Sequence, residues 1–520
     1  MRNPLIIGTR GSELALWQAN YTKSLLEKIG LKSELKIIKT QGDEIQHLSL
    51  DKLEGKGFFT KEIEEALLKK ETDIAVHSHK DLPTESPKEL VIAVVPDRED
   101  PTELLLINKG AVDIKQKFSL KKNAILGTSS ARRKSQLLAF RDDIQLKDLR
   151  GNVPTRINKL REMQYDAILV AGAGVERLEI DLSDFHVERL DMKEFIPAPA
   201  QGALAIQIRT SDKELFEKLQ QLNNTAVATQ ISIERKVLNL FQGGCQMPVG
   251  VYAEYDEDNE IYKVWAAKAS DWDKAPVSVY MESKHPESMA EKIVNKIKNI
   301  KPTSVFISRN LKDGDYFPKV LKANGYNVTG KSLIEMKPVP FKEVPKADWI
   351  FFSSKHAVNF FFSQKPKLDH QKFACVGKST AAMLRKHNVT AEFIGYSTDT
   401  KMTGKQFASR VGDGTVLFPQ AKGSLRSVQN GFVKKEQVID MVVYETLMRN
   451  EEAIAPSEIM VFTSPSNVES YFEKNKLSPE QKVVAMGEAT ANALKNFGVS
   501  RSVLPDTFTD LGLVRAVFGI

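Results

Sequence analysis

Short apolar runs that alternate with amphipathic helical segments are the feature of this sequence that most restricts its fold. The run at residues 4–7 leads through GTRGS (residues 8–12) into a segment with Leu14, Trp17 and Tyr21 at helical spacing, and the serine of that motif is the expected N-cap. The same alternation recurs along the chain and indicates parallel sheets with helices on both faces. Ligands of such sheets bind at the carboxyl ends of the strands. We therefore predict an α/β protein whose functional residues follow its strands.

The length of 520 residues lies well beyond the size at which one hydrophobic core stops growing. We expect three to five domains of about 100 to 150 residues each. The formal charge of +7, from 74 Lys and Arg against 67 Asp and Glu, is spread along the chain and does not indicate nucleic-acid binding. The sequence shows no apolar signal region and no run long enough to span a membrane, so a soluble cytoplasmic protein is expected. Two cysteines cannot form a disulfide framework, and no Cys/His cluster has zinc-site spacing, so no metal is expected.

Arginines recur where strands are predicted to turn into helices. The six are Arg10, Arg132, Arg133, Arg150, Arg156 and Arg177. Residues 132–134 place three consecutive cations at a helix start, where positive charge opposes the helix dipole by about 0.3–1 kcal/mol per residue. A single such arginine would be taken as a solvated surface residue, but the recurrence at equivalent places indicates an anionic partner.

The sequence also distinguishes between carboxylates and phosphates as the anionic groups of this partner. The planar fork of arginine suits both carboxylates and phosphates. A phosphate ligand would be expected with a glycine-rich cradle, but Lys372 replaces the first glycine of the P-loop pattern near residues 376–380. A ligand with several carboxylates is therefore favoured.

The segment HSHKDLP, residues 77–83, follows a predicted strand and contains the candidate acid or base, Asp81. A carboxylate in a cleft can hold a proton and can also stabilise a developing cation. His77 and His79 could suggest a metal site, but two histidines alone do not provide zinc-site ligation, and none is expected here.

Cys245 lies in the glycine-flanked loop FQGGCQMP, residues 241–248. Two glycines allow a bulky group to approach the sulfur, and Pro248 prevents a helix directly after it. Most free cysteines are small buried hydrophobes, so the local sequence leaves core packing and chemistry equally open. Cys375, in the apolar run at residues 373–376, is expected to belong to the core.

Six motifs together resemble those of the hydroxymethylbilane synthase family, also called porphobilinogen deaminase. In chain order they are GTRGS (8–12), HSHKDLP (77–83), GTSSARR (127–133), LRGN (149–152), PAQG (199–202) and GGC (243–245). The resemblance extends from about residue 3 to residue 300. It implies an enzyme that joins four porphobilinogen units head to tail with release of ammonia and then releases a linear tetrapyrrole.

The same resemblance implies a covalent cofactor and roles for individual residues. A dipyrromethane would be attached through a thioether to Cys245, and Asp81 and Lys80 would be catalytic. Further contacts to the cofactor would come from Lys80, Thr128, Ser129, Ser130, Arg132, Arg133, Arg150 and Asn152. Porphobilinogen, a small-molecule substrate, would be bound by Arg10, Ser12, Lys56, Arg150, Arg156, Arg177 and Gln201. His79 departs from the family, which often has an apolar residue at this place.

The chain beyond residue 302 contains an internal repeat. FSS at 352–354 matches FTS at 462–464, and GKSTA at 377–381 matches GEATA at 487–491, so both pairs of motifs have the same offset along the chain. Such a repeat predicts two related α/β lobes.

This region, about residues 303–520, resembles uroporphyrinogen-III synthase, which inverts the last ring of the linear tetrapyrrole and closes the macrocycle. The contacts that the resemblance suggests are Ser354, Tyr396, Thr463, Ser464 and the loop at residues 420–424. Helix capping is an alternative role for the hydroxyls at 353, 354, 463 and 464.

The expected fold class is α/β, with two solute-binding-protein-like lobes built on parallel sheets, a small α/β third domain, and two repeated flavodoxin-like lobes. For the deaminase-like part the expected domains are 1–101 with 198–222, 102–197, and 223–300. For the synthase-like part they are 303–338 with 447–520, and 339–446. The chain is expected to act as a monomer.

Two other functions remain open on the sequence alone. A non-catalytic protein that binds small acids would explain the arginines but would give no role to Cys245 or Asp81. A deaminase with a non-catalytic C-terminal module would differ from a bifunctional enzyme in the isomer of its product.

Overall fold

The computed structural model describes residues 2–40, 60–242, 247–395, 400–449, 454 and 456–520. Within these ranges the strands form five sheets. The strands are β1 Leu5–Thr9, β2 Ser33–Ile37, β3 Ile74–Ser78, β4 Leu90–Val94, β5 Glu103–Asn108, β6 Ile125–Gly127, β7 Gln145–Lys147, β8 Ala167–Ala171, β9 Phe185–Leu190, β10 Leu204–Arg209, β11 Val249–Asp256, β12 Ile261–Lys268, β13 Val277–Ser283, β14 Ser304–Ile307, β15 Asn327–Gly330, β16 Ile334–Pro338, β17 Trp349–Phe352, β18 Lys372–Val376, β19 Phe393–Gly395, β20 Val416–Ala421, β21 Val438–Met448, β22 Ile459–Phe462 and β23 Lys482–Ala485. The α-helices are α1 Glu13–Lys28, α2 Lys61–Leu68, α3 Ala131–Phe140, α4 Val153–Arg161, α5 Gly172–Arg177, α6 Lys213–Leu219, α7 Thr225–Leu240, α8 Met289–Lys298, α9 Tyr316–Ala323, α10 Lys355–Phe362, α11 Gly377–Lys386, α12 Thr400–Val411, α13 Pro465–Phe472, α14 Glu488–Asn496 and α15 Asp510–Phe518.

Two five-stranded sheets make up the first part of the chain, in the orders β2-β1-β3-β10-β4 and β7-β6-β8-β5-β9. In the second sheet, Leu105 and Ile107 of β5 pack into one hydrophobic cluster, whereas Leu104 and Leu106 pack into another on the opposite face. Successive residues of a strand point to opposite faces, so this sheet is covered on both sides, as the apolar runs predicted.

Both sheets are mixed, so the prediction of parallel sheets is wrong in this respect. β1 pairs in parallel with β2 and β3, and β6 pairs in parallel with β7 and β8. β10, however, runs antiparallel to β3 and β4, and β5 runs antiparallel to β8 and β9. β5 and β10 are the strands that the chain enters after crossing from one sheet to the other. The crossings lie at the edge of each sheet where β3 and β8 end. A strand that begins at this edge runs antiparallel to a strand that ends there.

The first crossing, residues 95–102 between β4 and β5, and the second crossing, residues 197–203 before β10, meet at a tight backbone contact. Gly202 has φ +84°, and a Cβ at this position would overlap the carbonyl oxygen of Glu99 in the other crossing. The amide of Glu99 in turn donates a hydrogen bond to the carbonyl of Gly202 at 3.2 Å. Only glycine has both the conformational freedom and the small size that this contact requires.

A three-stranded antiparallel sheet, β11-β12-β13, follows the second crossing, and α7 and α8 pack against it. Val251, Val264 and Val279 point to the helices, where Val237 and Ile293 complete the cluster. The predicted small third domain is therefore an antiparallel sheet with helices on one face.

The C-terminal region contains a parallel sheet, β15-β14-β22-β23, and a six-stranded sheet, β16-β21-β20-β17-β18-β19. The predicted repeat is present as structure: β17 begins at residue 349 and β22 at 459, and α10 begins at 355 and α13 at 465, the same offset in both cases. β16 pairs antiparallel with β21 and thus belongs to the six-stranded sheet. The chain therefore enters this sheet before residue 338, where we expected the first lobe to end, because the long β21 offers its edge to β16.

In the described ranges, no helix is both long enough and apolar enough to cross a membrane.

The contact at Gly202 gives a stability prediction. We expect Gly202→Ala to lower the free energy of unfolding by at least about 3 kcal/mol, because the new Cβ displaces the backbone of Glu99. Gly30→Ala is the matched control in the same lobe, since Gly30 has φ +77° but nothing within 4 Å of its Cβ position. This change should cost only about 1 kcal/mol. Denaturant unfolding of both variants measures the difference, and equal costs would contradict the role given to the crossing contact.

Candidate active site

A cleft forms where the ends of β1 and β3 meet. Its lining includes Arg10, which follows β1, and Asp81, in the single helical turn that follows β3. Ser12, Gln18 and Ser78 lie in the same lining, and Gln18 donates a hydrogen bond to the hydroxyl of Ser78 at 2.8 Å. The side chain of Asp81 is exposed to the cleft. The sequence-predicted acid and one predicted arginine are therefore brought to one site.

Charges from the second sheet reach the same place. Burial, and then the nearby charge of Arg133, lowers the pKa of Arg156 to about 10, while the charge of Asp81 acts to raise it. Burial also lowers the pKa of Lys80, again against the effect of Asp81. Since Asp81 follows a strand of the first sheet and Arg156 lies in α4 of the second, the site is formed between the two lobes.

Arg132 and Arg133 are both buried and share one internal carboxylate, Glu103. Arg132 Nη2 donates to Glu103 Oε1 at 2.5 Å, and Arg133 Nη2 donates to Oε2 at 2.6 Å. Although burial raises its pKa, the two guanidinium groups hold the pKa of Glu103 at about 2. Glu103 is therefore one of the anions that offset the positive charge at the start of α3.

Three predicted arginines have buried N–H groups without a hydrogen-bond partner among the described residues. They are Nε of Arg133, Nη2 of Arg150 and Nε of Arg177. A buried donor left unsatisfied costs about 1–3 kcal/mol. A ligand with several carboxylates would satisfy these donors, so the site as built fits a polycarboxylate.

Arg177 is placed differently from the other arginines. It is the last residue of the short helix α5 and not at a strand-to-helix turn, because that helix begins directly after β8. Its Nη2 donates to the carbonyl of Gly202 at 2.6 Å, and its guanidinium carbon lies 5.4 Å from the centre of the Trp17 ring. Arg177 therefore joins the second crossing to α1.

The predicted hydroxyl and amide contacts already have structural partners. Ser12, Ser130 and Asn152 accept hydrogen bonds as the N-caps of α1, α3 and α4. The hydroxyl of Ser129 donates to the carbonyl of Leu149 at 3.0 Å and also accepts from its amide. The hydroxyl of Thr128 accepts from the amide of Ser130 at 3.3 Å. These residues hold the turns that present the arginines.

Gln201 is buried and connects the catalytic segment to a crossing. It accepts a hydrogen bond from Lys80 Nζ at 3.3 Å and donates to the carbonyl of Pro101 at 2.7 Å. His77 and His79 are buried as well, and burial lowers their pKa to about 4 and about 3, so both imidazoles are neutral at physiological pH. His77 Nε2 lies 3.2 Å from Gln207 Oε1.

Three predicted residues, Cys245, Lys56 and Tyr396, lie outside the described residues. Cys375 is fully buried, and burial raises the pKa of its thiol to about 11, in agreement with the predicted core role.

Ser354, Thr463 and Ser464 follow β17 and β22, at the carboxyl ends of parallel strands. The predicted loop at residues 420–424 lies at the end of β20. Ser354 and Ser464 are N-caps of α10 and α13. Thr463 donates from its hydroxyl to the carbonyl of Ser308 at 3.0 Å, and its amide donates to the Ser308 hydroxyl at 2.9 Å. The alternative role in capping is therefore correct for the two serines, whereas Thr463 links the ends of β22 and β14.

Sequence reasoning missed Glu103 and a second buried carboxylate, Glu234. Glu103 opens the fully buried strand β5. A single carboxylate at the start of the apolar run at residues 104–107 was the available signal. Glu234 lies on the apolar side of α7 and is fully buried, where it pairs with Arg98. Its position in an amphipathic helix carried no comparable signal.

Glu103→Gln should destabilise the protein by about 3–5 kcal/mol, because it leaves two buried guanidinium groups without a counter-charge. The control is Asp148→Asn, which removes the carboxylate paired with Lys134 of the same helix α3 at an exposed position and should cost less than about 1 kcal/mol. Denaturant unfolding at neutral pH measures both.

The pH dependence provides a second readout for the same variant. The pKa of Glu103 lies below its ordinary value of 4.5, so the folded state binds fewer protons than the unfolded state between pH 4.5 and about 2. Its contribution to stability is complete above pH 4.5 and is lost as the pH falls through this window. Glu103→Gln should flatten the loss of stability there, and an unchanged slope would contradict the assignment.

Family models match both parts of the chain. The family model "Porphobilinogen deaminase, dipyromethane cofactor binding domain" matches residues 5–217, and "Porphobilinogen deaminase, C-terminal domain" matches residues 228–299. The model "Uroporphyrinogen-III synthase HemD" matches residues 315–515. The porphobilinogen deaminase of a Nitratiruptor species is 46% identical over 257 residues, which cover 49% of this chain and 81% of that protein. The porphobilinogen deaminase of Brevibacillus brevis is 45% identical over 259 residues, which cover 49% of this chain and 81% of that protein.

Solved structures that are similar include uroporphyrinogen-III synthetase from Helicobacter pylori, at 18% identity and a TM-score of 0.32, covering 40% of this chain and 97% of that one. A mutant uroporphyrinogen III synthase from Thermus thermophilus is 19% identical with a TM-score of 0.30 and covers 41% of this chain and 95% of that one. From its family models and curated relatives, the chain belongs to the porphobilinogen deaminase family, and residues 315–515 of the same polypeptide match the uroporphyrinogen-III synthase model.

Proposed function

We propose that this chain is a bifunctional enzyme of tetrapyrrole biosynthesis. Its N-terminal part, up to about residue 300, converts four porphobilinogen molecules to hydroxymethylbilane, and its C-terminal part closes that product to uroporphyrinogen III with inversion of one ring. The observation that carries the first activity is the set of cationic side chains from both lobes near Asp81. Arg133 and Arg150 of this set have buried N–H groups without a hydrogen-bond partner in the part of the chain that the structure describes. The family models support both activities.

A dipyrromethane cofactor fits the residues that are present. When bound through a thioether to Cys245, it supplies the pyrrole carbon to which the first substrate unit is joined. Thiolate reactivity and access are what such a bond needs, and the two glycines that precede the cysteine allow access. Arg132, Arg133 and Arg150 would bind its carboxylates, and Thr128, Ser129, Ser130 and Asn152 would shape the turns between them.

The substrate would be held by residues on both sides of the cleft. Arg10 and Ser12 lie in the lining formed by the first lobe, and Arg156 reaches the same place from the second. Lys56 and Arg177 would bind further carboxylates, and Gln201 would hold Lys80 toward the site. Each charge-assisted hydrogen bond contributes about 1.5–3 kcal/mol, so several carboxylates on one ligand give strong binding.

Asp81 would manage the proton on the departing amine and stabilise the positive charge that develops on the pyrrole. Lys80 and Arg156 stand close enough to influence and be influenced by its charge. A carboxylate beside the reacting pyrrole can stabilise a developing cation through its opposite charge.

In the second reaction the linear tetrapyrrole would be held between the two repeated lobes. Ser354, Thr463 and Ser464 follow parallel strands, where ligands of such sheets bind. Tyr396, outside the described residues, would assist loss of the terminal hydroxyl. Tethering the two sites raises the concentration of the second site near the unstable product of the first.

We also propose a domain organisation that follows the sheets. Residues 1–101 with 198–222 and residues 102–197 form two solute-binding-protein-like lobes, and 223–300 form the domain that anchors the cofactor. The synthase-like region forms two flavodoxin-like lobes, with β16 assigned to the six-stranded one. The monomeric state, the absence of nucleic-acid partners and the cytoplasmic location stay predictions.

The intact mass of the purified protein tests the deaminase activity. We expect the native mass to exceed that of the polypeptide by two deaminated porphobilinogen units, and Cys245→Ser to have the mass of the bare polypeptide and no activity. Asp81→Asn should keep the added mass but react about 100-fold more slowly, because it loses the acid and base function. Glu85→Gln, which changes an exposed carboxylate in the same segment, should react at the wild-type rate. A wild-type mass equal to the polypeptide would favour a non-catalytic acid-binding protein.

The isomer of the product tests the second activity. Hydroxymethylbilane closes spontaneously to the type I isomer, so incubation of the full chain with porphobilinogen, followed by oxidation, should give mainly uroporphyrin III. Thr463→Val should increase the share of uroporphyrin I, because it removes the hydroxyl that fixes the ends of β22 and β14.

Thr329→Val is the matched control for Thr463→Val. Its hydroxyl also donates to a strand carbonyl, that of Val305, but it lies on the exposed edge strand β15. The control should leave the product unchanged. Uroporphyrin I as the main product of the wild-type chain would mean that the C-terminal region is a non-catalytic module.

A further inference from the structure

We propose that Asp506 and Arg515, which belong to the synthase-like region, are positioning residues for the deaminase site. They would hold the second crossing, and through it the N-terminal turn of α3, in the arrangement that binds the cofactor. The inference rests on the deaminase function proposed for the N-terminal part of the chain.

Arg515 makes directional contacts with three different parts of the molecule. Its Nη1 donates to Asp506 Oδ2 at 2.6 Å within the C-terminal region. Its Nε donates to the hydroxyl of Ser278 in β13 at 3.0 Å, and its Nη2 donates to the carbonyl of Lys193, which precedes the second crossing. The side chains of Arg515 and Asp506 are each only 2% exposed. One guanidinium group thus fixes the synthase-like region, the third domain and the second deaminase lobe together.

Asp506 also contacts the third domain, on the face of the sheet opposite α7 and α8. Its Oδ2 also accepts a hydrogen bond from Trp265 Nε1 at 2.8 Å. The Trp265 ring packs in one buried cluster with Ile196 and Ala267. Asp506 therefore fixes the Trp265 ring against which Ile196 packs.

Ile196 is the residue through which this arrangement reaches the cofactor-binding helix. Its carbonyl accepts from Arg132 Nη1 at 2.9 Å and from Gln136 Nε2 at 2.9 Å. Its amide donates to Gln136 Oε1 at 2.8 Å. Both main-chain polar groups of Ile196 are thus used to hold α3, and a shift of this residue would move Arg132 in the site.

The other end of α3 also contacts the synthase-like region. The ring of Phe140 stacks on that of Tyr316 with centroids 4.5 Å apart. Lys319 Nζ donates to the carbonyl of Leu138 at 2.9 Å and pairs with Asp142 at 3.0 Å. A cation at a helix C-terminus interacts favourably with the helix dipole. α9 therefore supports α3 at the end opposite the site.

The two regions share a hydrophobic core, which makes this support rigid. Residues 511–518 of α15 are all buried. Leu513 and Val517 of this helix belong to the same cluster as Val279 and Ile297 of the third domain and Val461 of β22. Packed cores of this kind transmit displacements and do not absorb them.

A buried ion pair is weak evidence for stability, because desolvation of both charges offsets most of their attraction. Asp506 and Arg515 instead fix the relative positions of α15, β12, β13 and the segment around Lys193. Substituting one polar group at this junction should therefore slow the deaminase by misplacing α3, since a displacement of about 1 Å in an active site can reduce a rate by about 100-fold.

The test follows the intact mass of the full-length holo-protein during a single exposure to porphobilinogen. We expect Arg515→Met to lower the rate constant for the first addition at least about tenfold, and Trp265→Phe, which keeps an aromatic ring but removes the donor to Asp506, to lower it about threefold. A rate constant measured on the molecules that carry the cofactor does not depend on how many molecules have folded. A role in stability alone would thus leave it unchanged.

Arg309→Met is the matched control. Arg309 pairs with Asp510 at the start of α15 at 2.7 Å and lies over the Phe317 ring of α9, so its loss perturbs both helices without removing a contact of Arg515 or Trp265. It should leave the rate constant at the wild-type value. Wild-type rate constants in both Arg515→Met and Trp265→Phe would overturn the proposal.

Amide hydrogen exchange separates failure of this proposal from failure of the proposed function. The amide of Ile196 should exchange at least about tenfold faster in Arg515→Met than in the wild-type chain or in Arg309→Met. If the wild-type chain gains no mass with porphobilinogen, the deaminase function fails, and unchanged exchange at Ile196 would reject the positioning role independently.

Discussion

The buried carboxylate of Glu234 is the point on which the arrangement of the deaminase region depends. Its Oε1 accepts from Arg98 Nη1 at 2.8 Å and from the amide of Ala253 at 2.8 Å. Its Oε2 accepts from Arg98 Nη2 at 3.1 Å and from the amide of Ala200 at 2.7 Å. A carboxylate taken out of water is tolerated only when it is paired and fully hydrogen-bonded. Because these hydrogen bonds come from the first crossing, the second crossing and the third domain, satisfying this one group fixes all three.

The cleft between the lobes shows a different situation, since Arg133 and Arg150 each have a buried N–H group without a hydrogen-bond partner among the described residues. Glu103 neutralises part of the charge of Arg132 and Arg133 and keeps them in place before any ligand binds. Glu103 thereby fixes the positions of two cations in the unliganded protein, so less conformational entropy is lost when an anion binds to them.

The synthase-like region packs against the deaminase region and is not only linked to it through the chain. Its C-terminal helix completes a core that begins in the third domain, and its ion pair reaches the segment that holds α3. Fusion therefore has two physical consequences. It keeps the second site near the product of the first, and it supports the position of the helix whose first turn carries Arg132 and Arg133.

The sequence by itself determined the α/β class, the internal repeat of the C-terminal region and the strand ends at which Arg10, Asp81 and Thr463 lie. These follow from local patterns, since hydrophobic periodicity, turn residues and repeated motifs are read within short windows. Only the tertiary structure decided that β5 and β10 run antiparallel to their neighbours and that β16 joins the six-stranded sheet. It also decided the partners of the buried charges. Glu103 is 29 residues from Arg132, and Asp506 is 241 residues from Trp265. Such pairs form because burial makes an unpaired polar group costly, and which groups are buried together depends on how distant elements pack.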